Sequence, residues 1–156
     1  MSELLDFGGL YAGAFLLAVV SGVFPLVSSE VFLIGIALSH TSTPSMLVIA
    51  QLIAAGQTVS HSTLFQMARG VTTLGTKRGK KFEAKIERAR TIVARWRGNV
   101  WLLLCSAATI GLPPMMLVSI AGGALDIRFR RFVTIGLLGR MLRFTAIALV
   151  ARFVGG

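Results

Sequence analysis

The acidic residue Glu30 stands among apolar residues, where a charged side chain is unusual. It is the only acidic residue between Asp6 and Glu83. A carboxylate in such surroundings is costly, so it either pairs with a cation or takes up a proton. Ser28 and Ser29 precede a short apolar run, and a serine there caps a helix whose free N–H groups attract anions. The pattern predicts a site for a proton or an anionic group. The alternative is that Glu30 only belongs to the helix cap.

Two arginines lie within the last apolar segment of the chain. Arg140 and Arg143 are three residues apart and share one helix face. Counted from the start of that segment, they lie about 12 and 16 Å deep in a bilayer. At that depth an arginine must point into the protein, towards Glu30, a lipid phosphate or the carbonyls freed by Pro113 and Pro114. The alternative is that both side chains snorkel to the cytoplasmic interface, or that the segment boundary is shifted.

Gln57 and His61 share a face of an apolar segment between these two groups. Histidine titrates near neutrality, so a proton relay is one hypothesis. Hydrogen bonding between helices is the favoured one. Cys105 is the only cysteine and the chain has two histidines, which is not a zinc signature. With no nucleophile–base constellation either, we expect no catalytic residues, no metal, no cofactor and no enzyme activity.

Composition indicates the environment in which these residues lie. Of the 156 residues, 54% are hydrophobic and 14% are charged, against about 25% charged in an average soluble domain. A chain this small cannot bury that much apolar surface within itself. The net charge is +10, but nine of the 16 basic residues fall between Lys77 and Arg97, between apolar blocks. This is typical of a cytoplasmic loop of a membrane protein and argues against a nucleic-acid partner.

The first apolar stretch is interrupted in a way that predicts a hairpin. Residues 7–29 carry no charge, but the next run, 31–39, has only nine residues. Nine residues of helix cover about 14 Å, roughly half of the hydrocarbon core. We therefore expect a re-entrant helical hairpin with Pro25 at its tip. Residues 45–68 follow and are long enough to span a bilayer.

The basic segment 70–98 contains an apolar stripe with steps of four and three residues, formed by Phe82, Ile86, Ala89, Val93 and Trp96. This spacing predicts an amphipathic helix. With basic residues around the stripe, it suits an anionic membrane surface. The alternative is a loop helix that packs on the protein itself.

The second half repeats the plan of the first half. Residues 99–112 are apolar, Pro113 and Pro114 break the helix, and an apolar run returns over 115–125. A final span over 132–151 follows. The two proline-interrupted segments predict a second re-entrant hairpin; full-length spans are the alternative.

Charge distribution sets the orientation of these segments. Thirteen of the 16 basic residues are assigned to the cytoplasmic side, and Arg152 to the other side. The two hairpins then enter from opposite faces, which is the pattern of an inverted repeat with a site near the midplane. The fold class predicted is an all-α integral membrane protein with two opposed re-entrant helical hairpins plus transmembrane helices. We treat it as one domain made of residues 1–70, a basic loop 71–98, and residues 99–156.

Four sequence blocks resemble one family. They are FPLVSSEVFLIGIAL, GQTVSHSTLFQMARG, GLPPMMLVSIAGGALDIRFRRF and LGRMLRF. In this order they resemble the DedA superfamily, also called the VTT or SNARE-associated family, and in particular its short YqaA-type branch. The resemblance runs from about Leu10 to Arg152.

The resemblance implies a multi-pass protein of the bacterial inner membrane that translocates an anionic lipid. The substrate class is a polyprenyl phosphate, such as undecaprenyl phosphate, or a phospholipid, with scrambling or proton coupling as the mode. It implies membrane lipids as partners, and we also consider a homo-oligomer. Alternatives from other classes are a non-transporting membrane scaffold and a small-ion or solute permease.

Individual residues follow the family pattern only in part. Glu30 matches the acidic residue of the family's first hairpin tip. The further acid upstream has no counterpart in VVSGVF, and the family's GRF-x-P-x-x-R block reads CSAATIGLPP here, without an arginine. The phosphate-binding arginines of longer members therefore have no counterpart in that block, and Arg140 and Arg143 are candidates to replace them.

Overall fold

The computed structural model is helical throughout its regular structure, over the residues that it describes. These are 2–24, 28–39, 42–73, 84, 87–88, 91, 95, 99–124 and 127–155, with only the backbone described for 2–7 and 71–73. Six helices are bounded within them, namely α1 (Ser2–Val23), α2 (Ser29–Leu38), α3 (Thr43–Thr73), α4 (Val100–Thr109), α5 (Met115–Ala124) and α6 (Phe129–Gly155). The prediction of an all-α chain is confirmed for this part of the sequence.

The first interruption lies between α1 and α2. The backbone of Ser28 is extended, with φ −94° and ψ 108°, and its hydroxyl accepts the N–H of Val31 at 3.3 Å. This is the geometry of an N-cap. The expected serine cap is therefore present, at Ser28 rather than Ser29. Pro25, the expected tip, lies outside the described residues.

The second interruption separates α4 from α5. The N–H groups of Ile110 and Gly111 both donate to the Ser106 carbonyl, at 2.9 and 3.0 Å. Gly111 has φ 87°, in the left-handed region that glycine adopts most readily at a helix end. Pro113 and Pro114 follow, and α5 begins at the next residue. The predicted break at the two prolines is therefore present.

Helix length and composition single out α6 among the described helices. It has 27 residues and is the one described helix both long and apolar enough to cross a membrane. It begins three residues before the predicted span 132–151 and ends four residues after it. Helix α3 covers the predicted span 45–68, and its 31 residues make it long enough to cross a membrane. No stretch of α3 is apolar enough to meet the same requirement, and its polar side chains include those of Gln51, Gln57 and His61.

Contacts divide the chain into two compact units. The first comprises Met1–Ser60 and Arg140–Gly156, and the second His61–Gly139. Helices α3 and α6 therefore each contribute residues to both units.

The core of the first unit is built from small and branched side chains on α1, α2, α3 and α6 together with the Phe144 ring, and it includes Ala14, Ala18, Leu33, Ile49 and Ile53. Gly56 of α3 packs directly on the backbone of α1. A Cβ at Gly56 would lie 2.6 Å from the Phe15 carbonyl oxygen and 2.9 Å from the Ala18 Cβ. Such small residues permit a close helix approach.

The core of the second unit centres on aromatic rings. The Phe65 ring centroid lies 4.7 Å from that of Phe132 and 5.5 Å from that of Phe129. Gly123 of α5 packs on α3 here, because a Cβ would overlap the Phe65 carbonyl oxygen and lie 3.0 Å from the Ala68 Cβ. In each unit, therefore, a glycine packs on the backbone of a helix turn with the sequence Phe-x-x-Ala.

The predicted amphipathic stripe (Phe82, Ile86, Ala89, Val93 and Trp96) lies outside the described residues. Two arginines from the same segment, Arg88 and Arg95, are described, and both are helical and exposed.

Candidate functional site

An ion pair joins α2 to α6 in the first unit. Arg143 Nη2 lies 2.9 Å from Glu30 Oε1, and the two side chains are 27% and 33% exposed. Of the partners considered for the two arginines, Glu30 is therefore the one that Arg143 contacts. Hydrogen bonds between charged groups of this kind are shorter and stronger than neutral ones. Arg143 lies 14 residues after the first residue of α6, in the middle of that helix. Glu30 lies one residue after the first residue of α2, in its first turn.

Ser28 and Ser29 have different roles at the start of α2. The Ser28 hydroxyl donates to Glu30 Oε2 at 3.0 Å while it caps the helix. The two carboxylate oxygens of Glu30 therefore have separate partners. Ser29 is fully buried, and its Oγ lies 2.5 Å from Ser21 Oγ.

Ser21 connects three helices and was not singled out from the sequence. Its hydroxyl donates to the Ala18 carbonyl at 3.0 Å and accepts from Gln57 Nε2 at 3.3 Å. The Ser29 hydroxyl is the second donor to Ser21 Oγ. The one donor and the two acceptor positions of the Ser21 hydroxyl are therefore all occupied. The observation that could have revealed it is that Ser21 is the only polar side chain in residues 12–27.

Gln57 makes the interhelical hydrogen bond that the sequence favoured over a relay. His61, one turn further along α3, is buried and belongs to the second unit. A proton relay through Gln57 and His61 stays a prediction.

Arg140 is the most deeply buried charged side chain among the described residues of the first unit. It is 3% exposed, and its Nη1 donates to Thr58 Oγ1 at 3.4 Å. Thr58 itself donates to the Ala54 carbonyl at 2.7 Å. A guanidinium keeps its positive charge at neutral pH. Glu30, Arg140 and Arg143 together therefore carry one net positive charge, which favours an anionic ligand.

A second polar contact also joins α3 to α6. Gln51 Nε2 donates to Thr145 Oγ1 at 2.8 Å. Like Thr58, these two residues were missed because nothing local in the sequence distinguishes them from other polar residues of a helix. Their importance follows from the partner helix that they face.

The structure brings together some of the predicted site residues and separates others. Glu30, Arg143 and Ser28 are in direct contact, and Ser29 is linked to Gln57 through Ser21. Pro113 and Pro114 belong to the second unit with His61. Among the described residues, no group of three His, Cys, Asp or Glu side chains could hold a metal ion. No family model, no curated protein and no solved structure matches the chain.

Proposed function

We propose that this protein is a multi-pass protein of the bacterial inner membrane, of the DedA type, that translocates an anionic lipid. In this proposal, α1–α2 and α4–α5 are the two re-entrant hairpins. The observation that carries the proposal is the Arg143–Glu30 ion pair, because it lies half-way along the helix best suited to cross a membrane. Ionisable residues inside membranes are rare, are paired, and mark substrate or proton pathways.

The apolar surface supports a membrane location. Large apolar side chains are exposed on five of the six described helices, among them Leu16 of α1, Val31 of α2 and Leu142 of α6 at 62%, 68% and 65%. Soluble monomers rarely expose large contiguous patches of such side chains. Leu138, Leu142 and Leu149 lie four and seven residues apart on α6 and so share a face. Lipid chains are a suitable environment for that face.

The charges suggest how an anionic headgroup is handled. At rest, Glu30 neutralises Arg143. A lipid phosphate competes for Arg143, because a guanidinium binds two phosphate oxygens at once. Protonation of Glu30 removes the competing negative charge and lets the lipid bind; deprotonation restores the ion pair and displaces the lipid. Arg140 supplies a second, permanently charged group one turn away on the same helix.

A lipid-flipping assay tests this function. The full chain is reconstituted in vesicles that contain fluorescent phosphatidylglycerol, phosphatidylcholine or polyprenyl phosphate, and flipping is measured by chemical quenching of the outer leaflet. We expect polyprenyl phosphate, the phosphate-terminated lipid of the three, to flip. Glu30→Gln or Arg143→Gln should slow its flipping at least about tenfold, which corresponds to a loss of about 1.4 kcal/mol of transition-state stabilisation.

Two exposed residues provide matched controls. Glu87→Gln and Arg88→Gln remove the same charges from the exposed loop and should leave flipping unchanged. Vesicles that leak ions without flipping lipid would identify a permease instead. Vesicles that do neither would leave the scaffold alternative.

A further inference from the structure

The second unit contains a basic cavity that has no part in the proposed transport site. It has a volume of about 770 Å³ and lies between the end of α3 and the start of α6. The side chains of Arg69, Arg128, Arg130 and Arg131 line it, together with that of Gln66. All five residues belong to the second unit, whereas Glu30, Arg140 and Arg143 belong to the first.

The position of Arg128, Arg130 and Arg131 is electrostatically unfavourable without an anion. Arg130 and Arg131 lie in the first turn of α6, which contains no acidic residue, and Arg128 directly precedes the helix. A helix N-terminus already carries partial positive charge, so cations there are repelled. In the sequence, residues 126–131 carry three arginines and one acidic residue, so this segment has a net charge of +2. A phosphate would relieve this repulsion and would suit the bidentate geometry of guanidinium groups.

A smaller cavity of about 350 Å³ adjoins the basic one and is mainly apolar. Trp101, Leu104 and Ile135 line it, and it shares Arg128 and Arg131 with the basic cavity. The Arg131 guanidinium lies over the Trp101 ring, 5.2 Å from its centroid, in a cation–π contact. Trp101 is 50% exposed, as is common for tryptophan at a membrane–water interface. The shared walls make one site with a charged part and an apolar part.

We propose that the two cavities together bind one anionic phospholipid. Its phosphate lies among Arg128, Arg130 and Arg131, and part of one acyl chain lies against Trp101. Basic pockets at the cytoplasmic end of membrane helices bind lipid headgroups in this way. The apolar cavity is what favours a lipid over free phosphate, since free phosphate has nothing to place there. This site shares with the proposed function only the location of the chain in a membrane.

Quenching of Trp101 by brominated lipid tests the site. The chain has two tryptophans, so Trp96→Phe leaves Trp101 as the only one. The full chain carrying this change is reconstituted in phosphatidylcholine vesicles with increasing amounts of brominated phosphatidylglycerol or, for comparison, brominated phosphatidylcholine. Bromine quenches a tryptophan that it contacts. We expect half-maximal quenching at a fraction of brominated phosphatidylglycerol at least about fivefold lower than the fraction of brominated phosphatidylcholine that is needed. A difference of this size is on the order of the effect of one arginine near anionic lipid. Equal quenching by the two lipids would overturn the proposal.

Charge variants distinguish a specific site from general attraction. Arg128→Gln should reduce the preference for phosphatidylglycerol about fivefold. Arg88→Gln removes the same charge from an exposed position outside both cavities and should leave the preference unchanged. Equal losses in the two variants would mean that net charge alone attracts the lipid. Circular dichroism establishes that both variants are folded.

Inorganic phosphate distinguishes the two sources of the anion. Millimolar phosphate should leave quenching by brominated phosphatidylglycerol unchanged. If it abolishes the lipid preference, the ligand is a free phosphate and the lipid assignment is wrong. Quenching reports binding alone, so a failure of lipid translocation in the flipping assay would not alter this result.

Discussion

The Glu30 carboxylate has one partner on each oxygen, Ser28 on Oε2 and Arg143 on Oε1. The serine comes from the same helix turn, whereas the arginine comes from a helix 113 residues away in the sequence. The local partner orients the carboxylate whether or not the distant one is bound. In the proposed transport cycle, Arg143 therefore exchanges one anion for another without loss of the helix cap.

A double-mutant cycle tests whether the pair contributes to folding. Glu30→Gln and Arg143→Gln each leave the opposite charge half-buried without its counterion, so each should lower the free energy of unfolding. The double variant should be more stable than the sum of the two losses predicts, with a coupling of about 1 kcal/mol. Thermal unfolding in detergent measures this. Strictly additive losses would mean that the two residues do not interact.

The shape of the Arg143 side chain should matter for transport as well as its charge. Arg143→Lys keeps the positive charge but loses the planar, two-pronged donor that binds phosphate. We expect flipping of the phosphate lipid to fall about tenfold. Arg95→Lys, at an exposed position, is the control. A flipping rate equal to that of the unaltered chain would show that any cation suffices.

The proposed transport cycle uses both protonation states of Glu30, so its rate should depend on pH. We expect flipping to slow at high pH, where protonation of the carboxylate becomes rare, and at low pH, where its deprotonation becomes rare. In Glu30→Gln the residual rate should be independent of pH, since the amide neither gains nor loses a proton. Flipping rates measured over a pH series with equal pH on both sides of the vesicle test this. An unchanged pH profile in the variant would reduce Glu30 to a helix-capping role.

At the scale of the helices, the sequence predicts the breaks better than the contacts. The break at Pro113 and Pro114 follows from the missing N–H and fixed φ of proline, which are local properties. Thr58 and Thr145 are different, because their roles depend on which residues of another helix they face. The start of α6 at Phe129 was also missed. Charged residues mark the membrane interface, but they do not end a helix. A helix whose bounds are taken from its flanking charged residues is therefore predicted too short.

Helix packing in the first unit depends on Gly56. Gly56→Ala should lower the free energy of unfolding by about 2 kcal/mol, because the added Cβ would meet the Phe15 carbonyl oxygen. Gly13→Ala is the matched control, since its Cβ would have no heavy atom within 4 Å and alanine favours helices. Denaturation in detergent, followed by circular dichroism, compares them. Equal effects of the two changes would refute the close contact.

At the scale of the whole molecule, the basic residues are unevenly distributed, and this predicts a topology. Because thirteen of the 16 basic residues are assigned to the cytoplasmic side in the proposed topology, the two ends of α3 should lie on opposite sides of the membrane. Thr43→Cys and Thr91→Cys, both at exposed positions, are introduced separately into a Cys105→Ala chain. A membrane-impermeant maleimide should label them from opposite faces. Labelling from the same face would exclude the inverted repeat.

The seating of Gly56 on the α1 backbone also limits how the chain can evolve. A larger residue at Gly155 would meet the end of the flexible Leu38 side chain, so a smaller residue at position 38 would make room for it. At Gly56 the obstacle is the carbonyl oxygen of Phe15, and every amino acid carries the same carbonyl. No second-site revertant at position 15 can therefore restore the fit. Among descendants of this sequence, Gly155 is free to drift together with position 38, whereas Gly56 can change only if the two helices move apart.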